Sequence, residues 1–283
     1  MEVSAAAAQS MKGTALTHAR TGLEGTTSHI ANYMLVRTFR QDARIAPFHI
    51  NERQCVALLR SQLKGLFKSV AFKTALHRSM YNQYPFMFSP AELMFLAGCL
   101  SSIDNSVPGC VVEAGCAYGA TTVWLNKYMD DQAIVRSPYF ALDTFAGFPR
   151  QHVAYEGSER GKSREITSAM RASFGDNRQE WFDKQMVLHE ITRVRSLQCD
   201  VGTFAFESIA PIAYCLLDVD LYIPISQALP NIRKAMAPGG IIIVDDCWNN
   251  EKWDGALQAY SEFVAANAIP PRIVGRKLGV IQC

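Results

Sequence analysis

The sequence predicts an α/β fold: a mostly parallel sheet with helices on both faces, closed by an antiparallel hairpin and preceded by an N-terminal helical arm. Two short apolar runs, Cys215-Leu216-Leu217 and Ile241-Ile242-Ile243-Val244, have the character of strands buried on both faces, and the second is largely β-branched. Between them lies an amphipathic segment, residues 225–237, followed by Pro238-Gly239-Gly240, which reads as a helix stop and a turn. At the end of the chain, Arg272-Ile273-Val274 and Gly279-Val280-Ile281-Gln282 read as the closing hairpin.

The remaining elements follow in chain order. Residues 1–27, rich in Ala, Ser, Thr and Gly, are expected to be poorly ordered. They lack the basic start and apolar core of a secretory signal. Residues 29–80 read as helices with basic faces: Ile30, Met34 and Leu35, then Val56, Leu58, Leu59, Leu63, Leu66 and Phe67 recur at helical spacing. Residues 81–88 are aromatic, and Tyr81 and Tyr84 suit either a lid or packing between arm and domain. Ser89-Pro90-Ala91-Glu92 is a capping-box start with Pro in the first turn, and the helix is expected to reach about residue 103. Val107-Pro108-Gly109 breaks it, and Cys110-Val111-Val112 begins the first strand. The second strand, Tyr139-Phe140-Ala141-Leu142, ends at Asp143. Residues 150–176 are a polar insert, expected as a surface loop or lid with helical pieces. Met186-Val187-Leu188-His189 is expected as a further strand. The expected division is an arm, 1–83, and a catalytic domain, 84–283.

Composition bounds the partners. A chain of 283 residues with 49% apolar and 19% charged residues can bury a sizeable core. The formal charge of +2 is unevenly spread: residues 1–83 carry eleven Lys or Arg against four acids (+7), and the rest carries seventeen against twenty-two (−5). Scattered basic residues beside an acidic body favour docking within the protein or between copies over a nucleic-acid surface. No stretch approaches the ~18 apolar residues of a membrane span. None of the eight cysteines forms a C-x-x-C pair, so free thiols in a reducing, cytoplasmic setting are expected.

Two acidic clusters end the apolar runs: Asp218-Val219-Asp220 and Asp245-Asp246. Each alone reads most simply as a solvated loop or a helix cap. Together, at the carboxyl ends of neighbouring strands, Asp218, Asp245 and Asp246 suit a hard divalent ion such as Mg²⁺. After the first strand comes Glu113-Ala114-Gly115-Cys116-Ala117-Tyr118-Gly119, a glycine turn and a helix start. Glycine lets the backbone approach a ligand closely. A dinucleotide turn would carry G-x-G-x-x-G; here Ala117 stands at the second glycine. Glu113 near the turn suits a phosphate-free, positively charged ligand such as S-adenosylmethionine. Asp143 is placed to take a ribose hydroxyl pair.

The chain resembles the macrocin O-methyltransferase family, on Val107-Pro108-Gly109 with Val112-Glu113-x-Gly115, Leu142-Asp143-Thr144-Phe145-Ala146-Gly147-Phe148-Pro149, Leu217-Asp218-Val219-Asp220-Leu221-Tyr222, Pro238-Gly239-Gly240 and Asp245-Asp246. Trp253 and Gly255 with the segment after them fit as well. The resemblance covers about residues 85–263. It implies a Rossmann-like class I methyltransferase sheet and a metal- and S-adenosylmethionine-dependent enzyme that methylates sugar hydroxyls of natural products, in antibiotic-type biosynthesis. It puts the metal on Asp218, Asp245 and Asp246, and the cofactor on Glu113, Gly115, Gly119 and Asp143, with Ala117, Thr121 and Thr144 beside them. Val219 departs from the glycine often found there, and residues 189–206 match poorly. Asp218 or Asp220 is the expected base, with His189 an outside candidate. The expected partners are a small hydroxylated acceptor and a second copy of the chain in a dimer, with neither nucleic acid nor membrane. A catechol-type methyltransferase, a nicotinamide-dependent oxidoreductase and a non-catalytic cofactor-binding scaffold remain alternatives.

Overall fold

Apolar runs become the centre of a seven-stranded sheet. In the computed structural model, residues 62–71, 73–74, 87–103, 105–136 and 138–283 are described. The chain divides into two units, Met1–Phe67 and Lys68–Cys283. Residues 62–71 are helical. Tyr81, Tyr84 and most of the expected arm lie outside the described residues.

In the second unit, helix α1 (Pro90–Ser102) leads to strand β1 (Cys110–Ala114), α2 (Ala120–Asp131) and β2 (Tyr139–Asp143). Helices α3 (Arg150–Ser158), α4 (Arg164–Ala172) and α5 (Gln179–Leu188) precede β3 (Val194–Gln198). Then come β4 (Ile212–Leu217), α6 (Tyr222–Ala235), β5 (Met236–Val244), α7 (Gly255–Ala266), β6 (Ile273–Val274) and β7 (Leu278–Gln282). The strand order is β3-β2-β1-β4-β5-β7-β6. The first five strands are parallel, and β7 runs antiparallel to both its neighbours.

Alternation along each strand feeds two cores. Val112, Cys215, Leu217, Ile242 and Val244 pack with Ile225, Leu229 and Ile232 of α6 and with Ala259 and Tyr260 of α7. Val111, Tyr214, Leu216, Ile241 and Ile243 pack on the other face with Leu96 and Leu100 of α1 and Leu125 and Met129 of α2. Each aliphatic side chain buried in this way stabilises the fold by about 1.5–3 kcal/mol. The Ser89 capping box is present: Glu92 N donates to Ser89 Oγ at 3.3 Å, and Ser89 N donates to Glu92 Oε2 at 2.7 Å.

Two local expectations are corrected. Met186-Val187-Leu188 is the last turn of α5, not a strand, and His189 is its C-cap. Trp181, Phe182 and Met186 supply the buried helical stripe that the short window hid. The strand is Val194–Gln198, which among the described residues is an edge strand paired with β2 alone and is partly buried, so it lacks an apolar signature. Secondly, α6 ends at Ala235, and Pro238-Gly239-Gly240 lies within β5. Met236 pairs with Ile212 and Ile241 with Tyr214, so four residues of β5 face one residue of β4 in a bulge. Gly239 takes φ +88° there, which glycine adopts without strain. The insert after β2 is two helices, α3 and α4, as its helical pieces suggested. No helix among the described residues is long and apolar enough to cross a membrane.

Candidate active site

The carboxyl ends of β1, β2, β4 and β5 lie side by side, so the residues that follow them meet at one edge. Gly115 N donates to Leu142 O at 2.7 Å, Asp218 N to Ala114 O at 2.7 Å, and Asp245 N to Leu217 O at 2.9 Å. The glycine turn and the β4 end abut closely: a Cβ on Gly115, at φ +90°, would lie 1.7 Å from the Asp218 carbonyl oxygen. Glycine is therefore required here to join the two halves of the site. Four non-glycine residues with positive φ, Ala117, Phe145, Asp220 and Asp246, sit in the loops of this edge. Such strained residues gather at functional sites.

At the β1–β2 half, neutral donors hold the acids. Asp143 Oδ2 accepts from Cys116 N at 3.0 Å and Ala117 N at 2.8 Å, and Oδ1 accepts from Phe145 N at 2.7 Å. Burial raises the Asp143 carboxyl above its ordinary range, opposed by these three N–H groups. Thr144 Oγ1 donates to Gly147 O at 2.6 Å and closes the loop after β2. Glu113, 1% exposed, points beneath the turn, where Thr122 and Tyr139 each donate a hydroxyl to Oε2 at 2.6 Å. Burial pushes its carboxyl up to about 7 even though both hydroxyls favour the charged form. Gly119 caps α2 at φ +84°, and Thr121 lies half-buried in the first turn of that helix. The Asn177 side chain, 1% exposed, donates to Ala117 O at 2.9 Å and braces the turn from the α4–α5 loop.

At the β4–β5 half, four acids share the edge with one ammonium, which pairs with two of them. Asp245 is 2% exposed and Asp246 7%. Lys277 Nζ lies 2.6 Å from Asp245 Oδ2 and 3.3 Å from Asp246 Oδ1. Asp245 Oδ1 is buried with no hydrogen-bond partner. Burial drives Asp218 well above the carboxylate range, and Asp245 and Asp220 add to the rise against the pull of Lys277. Asp220 is likewise raised, by burial and then by its hydrogen bond with Asp246. Burial brings Asp245 to about 6, with Lys277 opposing. Among the described residues no three His, Cys, Asp or Glu side chains are gathered so as to hold a metal ion. The donor chemistry nevertheless fits a hard divalent cation: carboxylate oxygens alone, one of them buried and unpartnered.

The insert closes over this edge. Phe148 packs against Phe174 and Trp253, with ring centroids 5.7 and 5.6 Å apart. Glu156 of α3, 1% exposed, accepts from Tyr222 N at the start of α6 at 2.9 Å and pairs with Arg160 at 2.8 Å. Lys252 Nζ lies over the Trp253 ring, 4.0 Å from its centroid, and donates to Ser173 at 3.2 Å.

The structure brings together Gly115, Ala117, Gly119, Asp143, Thr144, Asp218, Asp220, Asp245 and Asp246. His189 is a correction. It precedes β3, near Arg193, whose carbonyl accepts from Tyr139 N at the start of β2. That is the amino edge of the sheet, a strand's length from the carboxylates, so His189 is not placed to take a proton there. Thr122, Tyr139, Asn177 and Lys277 were not expected at the site. Lys277 is placed by the strand register: β5 and β7 pair Val244 with Gly279, and two further steps set Lys277 opposite Asp246.

The model described as Macrocin-O-methyltransferase (TylF) matches residues 83–274. No curated protein matches the chain. Among solved structures it is similar to the O-methyltransferase NovP, with 22% identity, a TM-score of 0.58, and 68% of this chain and 78% of that one covered. It is also similar to the calicheamicin methyltransferase CalS11, with 18% identity, a TM-score of 0.54, and 86% and 99% covered. At these identities the likeness to solved structures is one of fold.

Proposed function

The chain belongs to the macrocin-O-methyltransferase family, an S-adenosylmethionine-dependent O-methyltransferase, and from that premise we propose that it methylates a hydroxyl of a sugar or glycosylated natural product with the help of a divalent cation, Mg²⁺. The observation that carries the reading is the meeting of the glycine turn with Asp218, Asp245 and Asp246 at one sheet edge, through the Asp218–Ala114 backbone hydrogen bond.

In this reading the turn Gly115–Gly119 approaches the cofactor through its backbone, flanked by Thr121 and Thr144. Asp143 orients the ribose: a carboxylate offers about four lone-pair sites, and three are taken by backbone N–H groups. Glu113 acts from below, holding α2 to β1 through Thr122. On the acceptor side, Asp218, Asp245 and Asp246 would hold the cation, which when bound lowers the pKa of a hydroxyl and fixes it in place. Asp218 or Asp220 takes the proton. Both stand half-buried among like charges at this edge, within reach of the proposed acceptor place. The helices α3 and α4, with Phe148, Phe174 and Trp253, exclude water from the edge. The +7 and −5 charge split supports a homo-oligomer, most simply a dimer. The seven described cysteines, all free, support a reducing, cytoplasmic setting.

Two measurements test the reading. S-adenosylhomocysteine should raise the melting temperature and NAD should not. Methyl transfer to glycosylated acceptors should stop after exhaustive EDTA treatment and return with Mg²⁺. Full turnover after chelation would end the metal assignment and leave acid/base chemistry at Asp218 and Asp220.

A further inference from the structure

The ammonium of Lys277 stands where a cation is needed. It lies 2.6 Å from Asp245 and 3.3 Å from Asp246, and 4.7 Å from the Phe88 ring centroid. Its backbone is fixed, because Cys247 N donates to Lys277 O at 2.7 Å and the β5–β7 pairing continues beside it. Its side chain is a four-carbon stem with free rotors. The carboxylates sit on shorter stems: the backbone N–H groups of Asp218 and Asp245 are tied to Ala114 O and Leu217 O, which keeps these acids at the sheet edge. The lysine has the longer reach of the two partners and is the one placed to swing away.

We propose that Lys277 is a resident counter-ion that occupies the place of the divalent cation, so that metal uptake is an exchange in which the lysine ammonium swings out. This rests on the metal reading above. Asp245 and Asp246, side by side in a poorly hydrated site, repel one another unless a cation or a proton offsets their charge. Lys277 supplies that cation in the metal-free protein and lets the edge fold before the ion arrives. The exchange also sets the affinity. A bound cation must replace an ammonium that already satisfies Asp245 Oδ2, so the apparent affinity is lower than the carboxylates alone would give. A purely structural ion pair would behave otherwise, since its removal would weaken folding and leave metal affinity unchanged.

The test is Mg²⁺ titration by calorimetry on the full chain, comparing wild type with Lys277→Met and Lys277→Arg. Lys277→Met keeps the length and removes the charge, and should bind Mg²⁺ about tenfold tighter or more. Lys277→Arg keeps the charge and should bind no tighter than wild type. Equal affinities for wild type and Lys277→Met would overturn the exchange and leave the metal reading standing. No Mg²⁺ uptake by any of the three would overturn the metal reading and the exchange with it. Where Lys277→Met fails to fold without metal, reductive methylation of the wild type read by mass spectrometry decides. Mg²⁺ should increase modification of Lys277, and unchanged modification under conditions where calorimetry shows Mg²⁺ bound would overturn the proposal.

Discussion

Asp143 and Asp245 stand at the ends of parallel strands in one sheet, separated by β1 and β4, yet their charges are met in opposite ways. Asp143 is surrounded by backbone N–H groups of the Gly115–Gly119 turn and of Phe145. Asp245 meets a single lysine ammonium through one oxygen, and its other oxygen is buried and unpartnered. Backbone dipoles are part of the fold and cost no rearrangement when a ligand arrives. A lysine is a mobile point charge. On the function proposed above, the nucleoside half would be built before its ligand binds, whereas the acceptor half would keep a charge imbalance for an exchangeable cation to correct. Gly115 joins the two, because only a residue without Cβ lets the turn lie against the Asp218 carbonyl.

The largest effect that would sharpen this contrast is at Asp218. Asp218→Asn keeps the shape and removes one of the crowded charges. Methyl transfer should fall by at least ~10²-fold, the scale for losing electrostatic stabilisation of a reacting oxygen. The melting temperature should not fall, since a like-charge repulsion is relieved. An active Asp218→Asn enzyme would break the assignment of the acceptor half. Asp143→Ala should act in the reverse sense on stability. It strips a partner from the amides of Cys116, Ala117 and Phe145, so the melting temperature should drop. Affinity for S-adenosylhomocysteine should weaken by about ten- to a hundredfold, as for the loss of a charged hydrogen bond. Unchanged affinity by calorimetry would remove Asp143 from the cofactor site and leave it as a turn support.

Much of this edge was legible because its signals are local. The apolar run Ile241–Val244 marked its strand, Ser89 and Glu92 marked the start of α1, and the acids after each run marked the edge itself. What was not legible depended on partners distant in sequence. The strand Val194–Gln198 is only partly buried, so its hydrophobic signal is diluted, and the neighbouring apolar stretch at Met186 draws the strand assignment to the end of α5. Pro238-Gly239-Gly240 carries a turn's composition, but tertiary pairing with β4 draws it into a bulged strand. His189 stood on that misplaced strand and moved to the opposite edge with it. Lys277 required the register of β7 on β5, which the hairpin composition suggested without fixing which residues face each other.

Glu113 sharpens the comparison from inside, with the smallest expected effect on catalysis. Its acid is met by hydroxyls of Thr122 and Tyr139 and by no cation, and burial outweighs both. Its carboxyl rises from 4.5 to about 7 in the folded protein. Between these values the folded state binds a proton that the unfolded chain has released. Stability from this group is therefore fully present below about 4.5, declines as pH rises through that window, and levels off above about 7. Glu113→Gln keeps a neutral carbonyl for the two hydroxyls and has no proton to lose. Its stability, followed by urea unfolding from pH 4.5 to 8, should lack the decline that wild type shows, while its affinity for S-adenosylhomocysteine at acidic pH should change by less than about threefold, the scale of a neutral hydrogen bond at most. Parallel stability curves for wild type and variant would mean that the hydroxyls, and not burial, govern Glu113. A large loss of cofactor affinity with no change in the curves would instead place its carboxylate in the ligand's own contact set, on the same footing as Asp143.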